Sequence, residues 1–196
     1  MFRKLISTAG MAVLVLAVAG PAAAQTFNID PVHSSVGFKV RHLVSKTAGR
    51  FDAFAGTIVV DRDDLTKSSV ELSIKAASID TDNEDRDAHL KGADFFDVEK
   101  YPEMTFKSTK IDKADEDVFD VTGEFTMHGV TKTITIPVEI LGFGPGMQGG
   151  TTAGFETRFK LDRKDYGIVW NRALDAGSLV VGNTVEVSIT VEAHAS

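Results

Sequence analysis

Five histidines are the side chains of this sequence best suited to binding a metal ion or transferring a proton near neutral pH. They are His33, His42, His89, His128 and His194, separated by 9, 47, 39 and 66 residues. These separations match no local zinc motif, in which ligands recur within a few residues of one another. The sequence therefore predicts no metal site and leaves open only one assembled in space from distant segments.

The sequence also lacks the residues on which common hydrolytic mechanisms depend. It contains no cysteine, and neither a G-x-S-x-G elbow nor an H-E-x-x-H motif occurs. Asp80, Asp82 and Glu84 have the spacing of a calcium loop. Asp85, however, replaces the glycine of such a loop, and Lys91 replaces its final glutamate. The sequence therefore predicts no catalytic residue and no cofactor.

Arg86 and His89 could bind the polar head of an amphiphile, such as a phosphate or a quinone. They lie three residues apart, which places them on one face of a predicted helix. The structural alternative is that they form ion pairs with nearby Asp82 or Asp94. The sequence leaves open both head-group binding and ion pairing for these two residues.

His33 and Arg163 are two further candidates for head-group contacts. The alternative for His33 is a hydrogen-bonded histidine at the rim of a barrel, and the alternative for Arg163 is an ion pair with Asp165. Trp170, the only tryptophan, is expected either at the mouth of the barrel or as a plug at its base.

These candidates must be positioned by β-strands, because apolar and polar residues alternate along most of the chain. Clean alternation of this kind is typical of antiparallel sheet with one buried face. We count about eight strands. Gly182-Asn183 is predicted to form a turn, and His128-Gly129 a tight link between two long strands. The alternating apolar sets include Val36, Phe38 and Val40; Val70, Leu72, Ile74 and Ala76; Phe119, Val121, Phe125 and Met127; Ile134, Ile136 and Val138; and Val185, Val187 and Ile189.

One stretch departs from this alternation and predicts a helical insertion near residues 83–97. Thr81 and Glu84 have the spacing of a capping box, and Gly92 suits a helix end. The insertion is expected to cover part of the sheet or one end of it.

The first 24 residues have the features of a secretory signal peptide. Arg3 and Lys4 precede an apolar run of about a dozen residues, too short to span a bilayer as a helix, and small residues precede Gln25. The mature chain, residues 25–196, is predicted to be one domain exported to the periplasm. Removing Arg3 and Lys4 leaves 19 basic residues against 28 acidic ones. This balance argues against nucleic acid as a partner and predicts at most transient contact with a membrane.

Eight antiparallel strands can close into a barrel, which removes exposed edges. A barrel of this size either fills with side chains or holds one small ligand. The sequence pattern alone leaves these two possibilities open.

A set of motifs along almost the whole predicted mature chain resembles the YceI-like family of periplasmic, lipocalin-like polyisoprenoid-binding proteins. No single motif is decisive, and the resemblance depends on their order and coverage. The motifs are Asp30-Pro31-Val32-His33-Ser34, Phe38-Lys39-Val40-Arg41-His42-Leu43, Arg86-Asp87-Ala88-His89-Leu90-Lys91, Asp94-Phe95-Phe96-Asp97, Tyr101-Pro102-Glu103-Met104-Thr105-Phe106 and Arg163-Lys164-Asp165-Tyr166-Gly167.

The resemblance implies an all-β, eight-stranded, lipocalin-like barrel that holds or transports a long isoprenoid lipid, with a polyprenyl or quinone-like head, without catalysis. An enzyme acting on an isoprenoid or other amphiphilic lipid is the alternative. A homodimer is left open. The residues predicted to line the cavity are Phe38, Val40, His42, Phe51, Phe54, Leu72, Ile74, Phe106, Phe125, Ile136, Phe155, Trp170 and Val187.

Overall fold

The structure is a computed structural model that describes residues 24–147, 149–172 and 180–196. The predicted signal peptide therefore lies outside the described residues except for Ala24. Within the described ranges, no helix is both long enough and apolar enough to cross a bilayer.

Antiparallel strands make up most of the described chain. The single α-helix among the described residues, α1, spans Glu84–Lys91, and 3-10 turns occur at Leu65–Lys67, Ala76–Ser78 and Arg163–Tyr166. The strands are β1 Gln25–Ile29, β2 Ser35–His42, β3 Ser45–Phe51, β4 Phe54–Val60, β5 Ser69–Lys75, β6 Ile79–Asp80, β7 Glu103–Lys113, β8 Val118–Met127, β9 Val130–Pro145, β10 Thr151–Asp162 and β11 Val181–Ala195.

Eight of these strands close into a ring in the order β1-β4-β5-β7-β8-β9-β10-β11, and β11 pairs back onto β1. The long β11 pairs with β1 near its C-terminal end and with β2 along its earlier part. On the other side, β1 pairs with β4 and β2 pairs with β3, so β1 and β2 act as two halves of one interrupted strand. The predicted eight-stranded antiparallel barrel is confirmed.

Strand β8 shows how the alternating pattern builds the interior. Phe119, Val121, Phe125 and Met127 are all buried, as is Gly123 on the same face, whereas the residues of the opposite face are half-buried or exposed. Since successive side chains of a strand point to opposite faces, this places one apolar row inside the ring.

Two predicted turns have different outcomes. His128 and Gly129 both have positive φ, 51° and 73°, and form the two-residue hairpin predicted between β8 and β9. The turn predicted at Gly182-Asn183 is wrong, because both residues lie inside β11. The pairing of β11 with β2 shifts register between Val181 and Val185, so this glycine accompanies an irregularity within a strand.

The predicted helical insertion is confirmed, but its capping box is not. Asn83 is the N-cap, and its side chain accepts a hydrogen bond of 2.9 Å from the Arg86 amide. Thr81 is held differently, since its amide donates to the Asp87 carboxylate at 3.0 Å. Gly92 ends the helix with φ −75°, a conformation open to any residue.

Candidate functional site

The interior of the barrel is hollow. A cavity of about 400 Å³ lies within the ring, in the range typical of small-molecule sites. Its lining extends from Ile58 and Val60 on β4 to Leu90 on α1, and most of it is aliphatic or aromatic. Of the two possibilities that the sequence left open, a filled core or a cavity, the structure has a cavity.

Most of the predicted lining residues face this cavity. The strand residues do so because they share the inward face of their strands, and Trp170 does so from the segment after β10. The predicted residues that line the cavity are Phe38, Val40, His42, Phe51, Leu72, Ile74, Phe106, Phe125, Ile136, Phe155, Trp170 and Val187.

Phe54 was predicted to line the cavity, and this prediction is wrong. It begins β4 directly after the break at Asp52 and Ala53, and it is absent from the cavity wall. Its half-buried side chain packs instead against both groups of core residues, one around Phe51 and the other around Phe27. Phe54 shares the inward face of β4 with Ile58, since it pairs with Ile74 of β5, but it does not reach the wall of the cavity.

One end of the cavity is covered by α1 and the segment that follows it. The rings of His89, Phe95 and Trp170 pack together, with centroids 5.0 to 5.1 Å apart. Phe96 meets Phe51 edge to face at 5.7 Å. These contacts place Trp170 at the helix-covered end of the barrel, and they explain why the sequence inserts a helix between two strands.

Arg163 is buried at the same end and has no acidic partner among the described residues. Its side chain is only 4% exposed. Nη1 donates to the carbonyl oxygens of Ile168 and Trp170, both at 2.8 Å, and Nε donates to that of Gly182 at 3.0 Å. Nη2 is buried and has no hydrogen-bond partner within the described chain. Burial lowers the pKa of this guanidinium, which lines the cavity.

The ion pair considered for Arg163 is absent, because Asp165 pairs with Lys132 at 3.0 Å. The 3-10 turn at Arg163–Tyr166 directs the two neighbouring side chains differently: Arg163 is buried, whereas Asp165 is exposed. The structural role of Arg163 is instead to hold backbone carbonyls near the end of the barrel.

Arg86 and His89 also line the cavity. Arg86 donates from Nε to the Thr81 hydroxyl at 2.7 Å and from Nη2 to the Thr81 carbonyl at 2.6 Å. Of the ion pairs considered for these two residues, the one present among the described residues joins His89 to Asp94 at 3.1 Å. Three of the four predicted head-group residues thus meet at the helix-covered end.

His33 is the exception, because it lies outside the cavity. Its Nδ1 is 2.7 Å from the Asp30 carboxylate, and its side chain is 62% exposed. The hydrogen bond from His33 is the largest cause that lowers the pKa of Asp30 to about 2, and the same contact raises the pKa of His33. The interpretation of His33 as a hydrogen-bonded histidine at the barrel surface fits this geometry, and its head-group role does not.

Sequence reasoning missed the small polar and acidic residues of the cavity wall, which are Thr47, Ser68, Ser69, Thr81, Glu156 and Thr157. Thr157 lines the wall from β10, and its hydroxyl is buried without a hydrogen-bond partner among the described residues. The signal was present, since Thr157 is the one polar residue between Phe155, Phe159 and Leu161 on the same face of the strand. A polar residue on an otherwise apolar inward face marks a position in contact with the cavity or with a solvent molecule in it.

Comparisons with known proteins agree with this architecture. The sequence profile of the YceI-like domain matches residues 27–193. The YceI protein of Escherichia coli O157:H7 is 40% identical over 153 residues, which cover 76% of this chain and 80% of that protein. A solved YCEI protein of Campylobacter jejuni superposes with a TM-score of 0.68 at 34% identity, covering 84% of this chain and 95% of the other.

A more distant structure shares the fold. A polyisoprenoid-binding domain from Saccharophagus degradans, implicated in plant cell wall breakdown, superposes with a TM-score of 0.66. The identity is 17%, and the match covers 88% of this chain and 99% of that domain.

Proposed function

The chain belongs to the YceI-like family, and from that premise we propose that it binds the tail of an isoprenoid lipid in its barrel and carries it without changing it chemically. The observation that carries the proposal is the cavity of about 400 Å³ with its almost wholly apolar wall. The likeness to a domain named for polyisoprenoid binding points in the same direction. A lipid tail binds through contact with apolar surface and needs few polar contacts, and the wall of this cavity is almost wholly apolar.

The size of the driving force follows from the hydrophobic effect. Each buried methylene contributes roughly 0.8 kcal/mol, so an isoprene unit of five carbons contributes at most about 4 kcal/mol before ordering costs. A few units are therefore enough for tight binding. Selectivity among tails is weak by the same reasoning, because roughly 0.8 kcal/mol for one methylene changes affinity by only about fourfold. We expect a range of related chains to bind.

The head group is proposed to lie at the helix-covered end, near Arg86, His89 and Arg163. Nη2 of Arg163, which has no hydrogen-bond partner in the described parts of the chain, can donate to an acceptor oxygen of a phosphate or quinone. In surroundings from which water is excluded, such a charge-assisted hydrogen bond is stronger than it would be at the surface. The arrangement supplies a single polar anchor for an otherwise apolar ligand.

Loading is proposed to occur at the same end through brief contact with a membrane. Val44 on the β2–β3 turn is fully exposed, and Val169, which follows the turn after β10, is 62% exposed. The Leu43 amide donates a hydrogen bond to the Val180 carbonyl, which places the β2–β3 turn beside the segment that leads into β11. Replacing Val44 and Val169 with Ser should slow lipid extraction from vesicles without altering the affinity for lipid already in solution.

Export to the periplasm is part of the proposal. Cleavage before Gln25 would give a chain of residues 25–196, and the intact mass of protein recovered from the periplasm tests this directly. A mass that includes residues 1–24 contradicts it. The oligomeric state, including a homodimer, stays a prediction, and native mass spectrometry of the exported protein tests it.

Native mass spectrometry of the exported protein tests the carrier role. We expect one intact lipid per chain, released on denaturation and identified as an isoprenoid by fragmentation. The enzyme alternative is tested by incubating the protein with a prenyl pyrophosphate or prenyl ester and analysing the products. Turnover that disappears when the cavity is blocked would favour the enzyme. A protein that carries no lipid and takes up none from vesicles would overturn the proposal.

A further inference from the structure

Four side chains capable of binding a metal ion meet on the outer surface of the barrel, at the seam where β1 pairs with β11. We propose that Asp30, His33, Glu192 and His194 form a site for a divalent transition-metal ion, with Zn²⁺ as its occupant. The site is separate from the lipid cavity, since none of these four residues lines the cavity. It does not depend on the proposed lipid function.

The strand register places two of the ligands on one face. Ala193 is fully buried, so Glu192 and His194 on either side of it point outward. The pairing of Ile29 with Ala193 continues to Asp30, whose amide donates to the Glu192 carbonyl at 2.9 Å. Asp30 and Glu192 are therefore cross-strand neighbours on the outer face of the seam.

A turn after β1 brings the third ligand back to the seam. The Asp30 carboxylate accepts a hydrogen bond of 2.8 Å from the Val32 amide, a local turn in which the side chain mimics the backbone. Ser34 adds a further hydrogen bond, since its hydroxyl accepts from the Glu192 amide at 3.0 Å. These bonds fix the segment that carries His33 against the end of β11.

The distances between possible ligand atoms suit a small cation. Asp30 Oδ2 lies 2.7 Å from His33 Nδ1 and 3.2 Å from His194 Nε2. His194 Nε2 lies 3.6 Å from Glu192 Oε1. Ligand atoms of Asp30, His33 and Glu192 all lie within 4.8 Å of one another. Zn²⁺ with bonds of about 2.0–2.1 Å holds tetrahedral ligands about 3.4 Å apart, which is close to the Asp30–His194 and His194–Glu192 distances. Rotation of the exposed His33 side chain would complete the proposed site.

His194 is also oriented by a second residue, as ligand histidines usually are. Its Nδ1 lies 3.1 Å from the Thr152 hydroxyl on the neighbouring strand β10. This hydrogen bond turns Nε2 toward the two carboxylates and fixes the ring. A hydrogen bond from the remote nitrogen of this kind is the usual companion of a metal-binding imidazole.

The donor set selects the class of ion. Two imidazoles with two carboxylates suit Zn²⁺ and its transition-metal neighbours, whereas Ca²⁺ and Mg²⁺ prefer oxygen ligands throughout. A bound ion would join the β1–β2 connection to the end of β11. Since that seam closes the ring, metal binding should stabilise the barrel.

Isothermal titration of the untagged, chelator-treated mature chain with ZnCl₂ tests the proposal. We expect one Zn²⁺ per chain, and a rise in Tm of about 5 °C or more at a hundredfold excess over Kd. His33→Ala and His194→Ala should each weaken binding at least tenfold. Thr152→Val should weaken it by about tenfold, in line with the loss of an orienting contact. CaCl₂ should give no binding in the same range.

Glu186→Gln is the matched control, because Glu186 is an exposed carboxylate of the same strand that pairs with Lys46 at 2.7 Å. It should leave Zn²⁺ affinity and the Tm rise unchanged. The test does not depend on replacing Asp30, whose side chain also holds the turn. Absence of Zn²⁺ binding by the wild-type chain would overturn the proposal. Equal affinity in His33→Ala, His194→Ala and the wild-type chain would do so too.

Discussion

Leu72→Trp is the sharpest test of whether the interior holds an exchangeable ligand. Leu72 lies on the inward face of β5 and lines the cavity. Tryptophan adds about six non-hydrogen atoms to the leucine side chain. Because the cavity has about 400 Å³ of free space, these atoms can enter it without displacing the strands. The substitution should therefore compete with the ligand and leave the fold in place.

The magnitude follows from what the new ring displaces. If about six ligand carbons lose their place at roughly 0.8 kcal/mol each, binding weakens by up to about 5 kcal/mol, more than a thousandfold. In a packed core the same substitution would instead cost about 1–3 kcal/mol of folding stability through overpacking. We expect lost lipid in native mass spectra and a free energy of unfolding of the delipidated chain within about 1 kcal/mol of wild type.

Ala76→Phe is the matched control for overpacking. The sequence pattern places Ala76 on the inward face with Leu72, but the structure places it in a 3-10 turn, 1% exposed and away from the cavity wall. A ring there has no free space, so Ala76→Phe should destabilise the delipidated chain by about 1–3 kcal/mol or more. The cavity interpretation fails if Leu72→Trp destabilises as much as Ala76→Phe and neither wild-type nor variant chains retain lipid.

Four further predictions address individual side chains. Trp170 lines the cavity, so its fluorescence should shift to shorter wavelength when lipid enters, and an unchanged spectrum at saturating lipid would contradict its position. Phe95→Ala should lower the free energy of unfolding, measured in urea, by roughly 3–5 kcal/mol, because Phe95 is only 7% exposed. Thr157→Val should raise the free energy of unfolding by about 1 kcal/mol, because it removes a buried hydroxyl that has no hydrogen-bond partner among the described residues. The hydrogen bond from Lys75 lowers the pKa of Glu103, so this pair contributes stability above the unfolded pKa that is lost as pH falls through the folded pKa. NMR titration of Lys75→Met should show the Glu103 pKa moving back up toward its ordinary range, and an unmoved pKa would refute the assignment.

The barrel could be predicted because its information is local. Alternation in the inward row from Phe119 to Met127 and in the row from Val185 to Ile189 depends only on neighbours in sequence, and burial in the structure follows it in β8. The helix was found for the same reason, from a change of period. The interruptions of the strands were not predicted from the sequence. The break before Phe54 and the register shift near Gly182 depend on the pairing of distant strands, which a single sequence pattern does not contain.

The residues predicted to contact a head group also divide into those that local sequence places and those that it does not. Residue type and helical spacing pointed to Arg86 and His89 correctly as neighbours, because three residues apart is one face of a helix. Arg163 was found by type, but its burial and its carbonyl partners depend on the segment after β10 and on β11. His33 was misplaced, because its sequence position at the start of β2 does not show that the preceding turn directs it away from the cavity.

The two ends of the cavity differ in the charge of the side chains that line them. The basic side chains that line the described wall are His42, Arg86, His89 and Arg163. His42 pairs with Val181, and Arg163 donates to Gly182, so these belong to the helix-covered end together with α1. The opposite end is walled mainly by apolar side chains of β1, β4 and β10. A polar head placed there would lose its hydration without a charged partner, at a cost of several kcal/mol. If the proposed carrier role holds, we therefore expect the tail of the ligand to point toward β1 and its head to lie under the helix.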